Sequence, residues 1–425
     1  MKETAALRRR ILSRRATLAV VGQGHAGLSL ACVAADAGFA VRAIDPDEAR
    51  IRDLRRGVLS VPGVSEHTFR AGVTSERITF SSDLELVQDS ELVAICVPVP
   101  IRDQSPDLRY LQEVCRNVGR NLHPGQLVIV ESTVDPGATE DLARPALEAS
   151  GLSASHDFLL AHSPERIDPG NEEHGLQNTP RIVGGITREA TGVAALFYGQ
   201  FVDKVVQVSS CRTAEMAKLL ESTFRQVNVG LANEMAVLCN EQGVDVWEVV
   251  DAAASKPFGF MSFHPGPGVG GHGIPGDQAP SGLRLVEQAR SVNSEMPEYV
   301  ASRIEHALRE KGRELTGARI LALGVTYKPD VGDTLESPAL KVLNHLTRSG
   351  AKVSYHDPYV PEVSLNGDIL GRSQLTEGSV EAADCLAILT PHKAYDLDWI
   401  ARHAWLVFDA HNAYGPDRRP NVVRL

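Results

Sequence analysis

Leu18-Ala19-Val20-Val21-Gly22-Gln23-Gly24-His25-Ala26-Gly27 is the stretch that decides the fold. An apolar run of strand type enters G-x-G-x-x-G, and a helical pattern follows from Leu28. A second apolar run, Val41–Ile44, ends at Asp45, about 20 residues on. Strand, glycine turn, helix, strand and acid in this order mark a dinucleotide-binding unit. The glycines allow a tight turn and close backbone approach to a pyrophosphate, whose charge the helix N-terminus holds. Gly22, Gln23, Gly24, His25, Ala26 and Gly27 are therefore the expected cofactor contacts. Asp45 is placed to accept hydrogen bonds from adenosine ribose hydroxyls, which favours NAD over NADP. Arg50 either reaches the same ribose or is a solvated helix residue.

Further apolar runs extend the pattern. Leu92–Val97, Leu127–Val130, Phe158–Ala161 and Arg181–Val183 join Thr17–Val21 and Val41–Ile44 as strands in residues 1–205. Runs apolar on both faces predict a parallel sheet covered by helices on both sides. Residues 206–305 read as mostly helical, with a long helix over Ala214–Gly243. Pro257–Pro280 is too rich in proline and glycine to be helix, and an ordered loop of that length is usually functional. Residues 306–425 return to alternation, with strands at Arg319–Gly324, Lys352–Tyr355, Cys385–Leu389 and Leu406–Phe408.

The 425 residues suffice for two or three domains. A formal net charge of −11 argues against nucleic-acid or anionic-membrane binding. No apolar run approaches the roughly 20 residues of a membrane span. The arginine-rich residues 1–17 read as a solvated helix, with no signal-type apolar segment after them. The six cysteines (Cys32, Cys96, Cys115, Cys211, Cys239, Cys385) form no zinc-type spacing and suit a reducing cytoplasm. The fourteen histidines do not cluster at ligand spacing, so no metal is expected.

Several segments, in order along nearly the whole chain, resemble the nucleotide-sugar 6-dehydrogenases, the family of UDP-glucose and UDP-N-acetylmannosamine dehydrogenases. They are Cys96-Val97-Pro98-Val99-Pro100, Glu131-Ser132-Thr133-Val134-Asp135-Pro136-Gly137 and His162-Ser163-Pro164-Glu165-Arg166. Ala214-Glu215-Met216-Ala217-Lys218, His264–Asp277, Gly324-Val325-Thr326-Tyr327-Lys328-Pro329-Asp330, Glu336-Ser337-Pro338 and His356-Asp357-Pro358-Tyr359 follow. The Ser-Pro-Glu-Arg segment resembles the N-acetyl-hexosamine branch. The resemblance implies two Rossmann-like doubly wound domains joined by a helical central domain with a long helix. The N-terminal domain would bind NAD, the C-terminal one a UDP-sugar, and the long helix would form a homodimer.

It also implies roles. Lys218 would stabilise negative charge at the reacting oxygen. Asp277 would orient a water or Lys218 or share a proton with them, Glu165 would position water and the nicotinamide, and Thr133 would hold a water, with Ser222 one helical turn beyond Lys218. Val97, Pro98, Val99, Ser132 and Thr133 would border the cofactor. Arg166, Arg225, Asn228, Phe263, Gly266, Gly268, Gly270, His272, Tyr327 and Lys328 would border the substrate, the loop glycines by close backbone approach. Plainer readings stand beside these: Lys218 as a snorkelling lysine, Asp277 as a helix cap, Glu165 and Arg166 as an ion pair.

The chain departs from the family where the chemistry lies. Gly273 stands where the family has its nucleophilic cysteine. Ser222 replaces an asparagine, and Leu335 and His411 replace arginines. Glycine has no side chain to attack an aldehyde, so the covalent route is closed. Cys211, two turns before Lys218, is the least remote substitute thiol. Three readings follow: a two-electron oxidation to a carbonyl, with or without net epimerisation; a four-electron oxidation through an aldehyde hydrate; or a non-catalytic nucleotide-sugar or NAD-binding partner.

Overall fold

A computed structural model describes residues 2–61, 64–102, 105–171, 173–271 and 283–425. Backbone packing divides the chain into two compact units, Met1–Glu221 and Ser222–Leu425.

The first unit is built on eight strands: β1 Thr17–Val21, β2 Ala40–Ile44, β3 Ile78–Ser81 and β4 Leu92–Ile95, then, after a small hairpin of β5 Ile101–Arg102 and β6 Ser105–Pro106, β7 Leu127–Val130, β8 Leu159–His162, β9 Arg181–Gly185 and β10 Val205–Gln207. Their order is β10-β9-β8-β7-β4-β1-β2-β3. From β3 to β8 this is the doubly wound dinucleotide order, whose switch point lies at β1 and β4. The central strands are buried on both faces, which is why they read as unbroken apolar runs. Parallel register aligns Val21 with Ile44 and Ile95, Ile95 with Val130, and Val130 with His162. The residues just after these strands, Gly22, Asp45, Cys96, Glu131 and Ser163, therefore lie along one sheet edge. The sheet is not wholly parallel: β9 runs antiparallel to β8. The helix Lys2–Leu12 is not simply solvated either, because Leu7 and Ile11 are buried in the core while its arginines face outward.

The second unit carries a five-stranded parallel sheet of β11 Arg319–Leu323, β12 Lys352–His356, β15 Cys385–Ile388, β16 Val407–Asp409 and β17 Val422–Arg424, with a separate hairpin of β13 Glu362–Leu365 and β14 Asp368–Gly371. The order β12-β11-β15-β16-β17 is the other common doubly wound arrangement. The helix Cys211–Glu241 begins in the first unit and ends in the second. In the second unit it crosses the helix Arg284–Glu310 at Gly230, where a Cβ would lie 2.9 Å from the Ala289 Cβ. That contact explains a glycine in mid-helix despite its cost of about 1 kcal/mol. The architecture is two Rossmann-like doubly wound sheets joined through a long helix. The described part of Pro257–Pro280, residues 257–271, contains no helix. No helix among the described residues is long and apolar enough to cross a membrane.

Candidate active site

The glycine turn after β1 has the geometry its spacing demands. Gly22 has φ +96°, and a Cβ there would lie 2.7 Å from the Cys96 carbonyl oxygen. A Cβ on Gly27 would lie 1.8 Å from the Gly22 carbonyl oxygen, so helix His25–Asp36 packs onto the turn only through glycine. Gly24 differs, since a Cβ there would meet nothing within 4 Å. Gly24 is the N-cap of that helix, and no side chain caps the first turn. Main-chain amides of Gly24, His25 and Ala26 at a positive helix end suit a pyrophosphate.

Asp45 is buried and accepts from the Gln23 amide at 2.7 Å, the Asp47 amide at 2.9 Å and Arg50 Nη1 at 2.9 Å. Arg50 thus holds the acid. A carboxylate offers about four lone-pair sites, so Asp45 keeps capacity for a ribose hydroxyl. The uncapped helix start, the open side of Gly24 and this acid together fit a dinucleotide.

The next strand ends carry the wall of the site. Ser132 donates to the Val97 carbonyl at 2.7 Å and ties the Cys96–Pro100 segment to Glu131–Gly137. Val97 is buried, Val99 and Thr133 half-buried, Pro98 exposed. Glu165 is buried, accepts from the Ile167 amide at 2.5 Å and lies 3.9 Å from His25 Nε2. Lys218, half-buried on the helix Cys211–Glu241, is held below the ordinary lysine range. Burial is the main cause; Arg166 and Arg181 add to it, while Glu165 and Glu221 oppose it. Lys218, Glu165 and the nucleotide-loop His25 therefore gather within one unit.

Arg166 does not pair with Glu165. It reaches across to Glu221, with Nη2 at 2.6 Å and Nε at 3.2 Å, and donates to the Pro180 carbonyl. Glu221, one turn after Lys218, is absent from the sequence reading because a glutamate on a helix ordinarily means a solvated face. The sequence reading also lacks a buried network behind the site. Glu131 pairs with Arg181 and accepts from the Tyr198 hydroxyl. Arg181 lies 4.6 Å over the Tyr198 ring and donates to Ser163 Oγ at 2.9 Å. His162, buried beside Arg181, is depressed to about 3, mainly by burial. Cys211 is no substitute thiol: it is buried, donates to the Gly184 carbonyl at 3.3 Å and is pushed up to about 12. All six thiols are free and buried.

In the second unit Ser222 and Asn228 are half-buried and Arg225 exposed, with Asn228 donating back to the Phe224 carbonyl at 2.7 Å. Phe263 packs edge-on against Phe224, ring centroids 5.7 Å apart. The glycine loop is pinned where Asn233, bridged to Asn293 at 2.8 Å, accepts from the Gly266 amide at 2.9 Å. Its glycines face protein: Cβ atoms would meet His411 Cε1 at 3.1 Å from Gly266, the Asn293 carbonyl at 3.0 Å from Gly268 and the Glu336 carbonyl at 2.5 Å from Gly270. At Gly271, with φ +90°, a Cβ would strike the Tyr327 ring at 2.5 Å. Packing against the protein's own atoms is enough to require glycine at these four positions.

Tyr327 and Lys328 follow β11 at the switch point of the second sheet. Their loop is fixed by the buried Asp357, which accepts from the Val325 amide at 2.8 Å and lies 2.9 Å from His392 Nε2. His392 Nδ1 accepts from the Asp330 amide at 2.9 Å. His411 lies half-buried with Nε2 3.0 Å from the Leu389 carbonyl, and Leu335 is exposed. His272, Gly273 and Asp277 lie outside the described residues. Among the described residues Glu377, Glu381 and His403 stand at metal-ligand spacing not apparent in the sequence, as two exposed carboxylates and a half-buried imidazole.

Comparison with known proteins agrees with this geometry. Residues 16–202 match the NAD-binding domain of the UDP-glucose/GDP-mannose dehydrogenase family, 212–304 its central domain and 321–416 its UDP-binding domain. The UDP-N-acetyl-D-mannosamine dehydrogenase of Pyrococcus horikoshii is 34% identical over 90% of this chain and 91% of its own. The structure of UDP-D-ManNAc dehydrogenase from Pyrococcus horikoshii superposes with TM-score 0.86 at 32% identity, covering 96% of this chain and 98% of that one. The Staphylococcus aureus UDP-N-acetyl-mannosamine dehydrogenase Cap5O gives 0.82 at 30% identity, covering 96% and 97%.

Proposed function

Because the chain belongs to the UDP-glucose/GDP-mannose dehydrogenase family, we propose that it oxidises one CH–OH group of a UDP-linked sugar to a carbonyl. NAD, bound on the Gly22–Gly27 turn and Asp45, supplies the hydride acceptor. The observation that carries the reading is the gathering of Lys218, Glu165 and His25 in the first unit. Lys218 as a cation stabilises negative charge on the reacting oxygen, and Glu165 takes or relays the proton. Thr133 and Asp277 hold water, and Ser222 serves the same oxygen. Gly273 leaves no thiol to trap an aldehyde, and Cys211 is buried with its thiol pushed up, so the reaction stops after one hydride transfer. Alcohol loses a hydride and a proton; carbonyl, NADH and a proton result. A ketone retained on the enzyme would also permit re-reduction from the other face, a net epimerisation.

We assign the substrate to the UDP-N-acetyl-hexosamine class, on the Ser163-Pro164-Glu165-Arg166 segment and on what the similar dehydrogenases are named for. Arg225, Asn228, Phe263, Tyr327 and Lys328 are its proposed contacts, together with Arg166 and His272. We assign residues 1–205 to the cofactor, 206–305 to the centre and 306–425 to the nucleotide. Exposed Phe224, Leu231 and Leu238, seven residues apart on the long helix, fit a homodimer seam. Six free thiols suit the reducing cytoplasm.

The test is product mass and NADH yield over a panel of UDP-hexoses and UDP-N-acetyl-hexosamines. A carbonyl product supports the assignment. A carboxylate would instead mean that water replaces the thiol, and binding without turnover would mean a non-catalytic partner.

A further inference from the structure

The second unit contains a cavity of about 330 Å³ far along the chain from the residues assigned to catalysis. The end of the helix Cys211–Glu241, the start of the helix Val246–Ala254, Arg303 and the last strand line it. Its volume is at the small end of the range for ligand pockets, about 300–1,000 Å³.

The lining is basic in a chain whose net charge is −11. Arg303, Arg418, Arg419 and Arg424 contribute four guanidiniums, beside the carboxylates of Asp245 and Asp417 and the last residue of the chain, Leu425. Arg418 and Arg424 share the single carboxylate of Asp245, at 3.0 and 2.7 Å. Arg419 is answered by Asp417 at 3.1 Å and by Asp398. Arg303 donates to Asn240 and, at 3.3 Å, to the Arg424 carbonyl, and among the described residues no carboxylate holds it. Its Nε is buried without a hydrogen-bond partner. The start of helix Val246–Ala254 lies on the same wall, capped by Asp245, which accepts from the Trp247 amide at 3.0 Å.

We propose that this cavity binds a small phosphoryl anion, held by Arg303, Arg418 and Arg424. A planar guanidinium matches two oxygens of a phosphate at once, and three around one cavity suit a tetrahedral dianion. The site has a route to the glycine loop. Trp247 donates its indole N–H to the Leu425 carbonyl at 3.3 Å, next to the cavity. The other side of that indole stacks on His264, centroids 5.7 Å apart and planes 23° apart. His264 opens the loop that continues to Gly271. Occupancy therefore acts on the stretch that fixes where the loop begins, and Trp247 reports it.

The experiment is calorimetric titration of the full chain with inorganic phosphate and with pyrophosphate at low salt, against chloride at matched ionic strength. Trp247 fluorescence is followed in parallel. Saturable phosphate binding is expected, weakened about tenfold or more by Arg303→Gln and Arg424→Gln. Arg418→Gln, at an exposed side chain that folding does not require, is expected to weaken it several-fold. NAD affinity and melting temperature should not change in Arg418→Gln. Pyrophosphate bound with wild-type affinity by all three variants would place the anion at the Gly22–Gly27 turn instead and overturn the assignment. Heat no greater than that of chloride would overturn it equally.

Discussion

The chain holds two glycine-rich loops that look alike in sequence and do different work. In Gly22–Gly27 two glycines are needed by the fold, while Gly24 faces open space at an uncapped helix start. In Gly266–Gly271 every glycine is spent on the protein's own backbone, on His411 or on Tyr327. Glycine spacing followed by a helix and an acid marks a helix start left open, whereas glycine density in the second loop marks tight packing against the protein. The second loop owes its shape to neighbours far away in sequence, Asn233, Glu336 and His411.

The largest effect that would sharpen this contrast is at Gly22. Gly22→Ala places a Cβ 2.7 Å from the Cys96 carbonyl at φ +96°, so NAD binding should be lost and stability should fall by about 1–3 kcal/mol. Calorimetry with NAD and denaturant unfolding check both. Gly24→Ala, with nothing within 4 Å, should leave stability within about 1 kcal/mol while weakening NAD binding. Equal losses of stability at the two positions would break the account of the first loop.

Next comes Lys218. Lys218→Ala should lower kcat by about 10²–10³-fold with NAD affinity kept. If Lys218 acts as the proposed cation, wild-type activity should fall as pH rises through its value, which burial holds below the ordinary lysine range. Lys218→Arg should move this alkaline limb upward. Gly271→Ala follows: its Cβ meets the Tyr327 ring at 2.5 Å, so KM for the nucleotide sugar should rise while NAD affinity stays unchanged.

At neutral pH the smallest expected effect concerns His162. It stays neutral in the fold down to about 3, whereas in the unfolded chain it takes a proton near 6.5. The unfolded state therefore binds the extra proton, and stability should decline as pH falls from about 6.5 toward 3. His162→Gln should flatten this slope in thermal melts between pH 7 and pH 4.

Much of the fold is legible in the sequence because its strands are buried on both faces. Leu92–Ile95 and Leu127–Val130 are unbroken apolar runs, and their parallel order follows from the helices between them. The reversal at β9 is not legible: nothing in Arg181–Gly185 encodes the direction of the strand beside it. Edge strands β3 and β17 are short and half-buried, so their patterning is weak. The cofactor turn was legible because glycine spacing and Asp45 are local signals. The Glu131–Arg181–Tyr198 network was not, because two strand ends and a helix bring it together. Glu221 was hidden for a similar reason, since its meaning depends on Arg166, 55 residues away.

Whether Gly273 stops the reaction after one hydride is decided by counting NADH formed per nucleotide sugar consumed at exhaustion. The wild type should give one NADH, and Gly273→Cys should move the ratio toward two with carboxylate appearing. Two NADH per sugar from the wild type would contradict the claim.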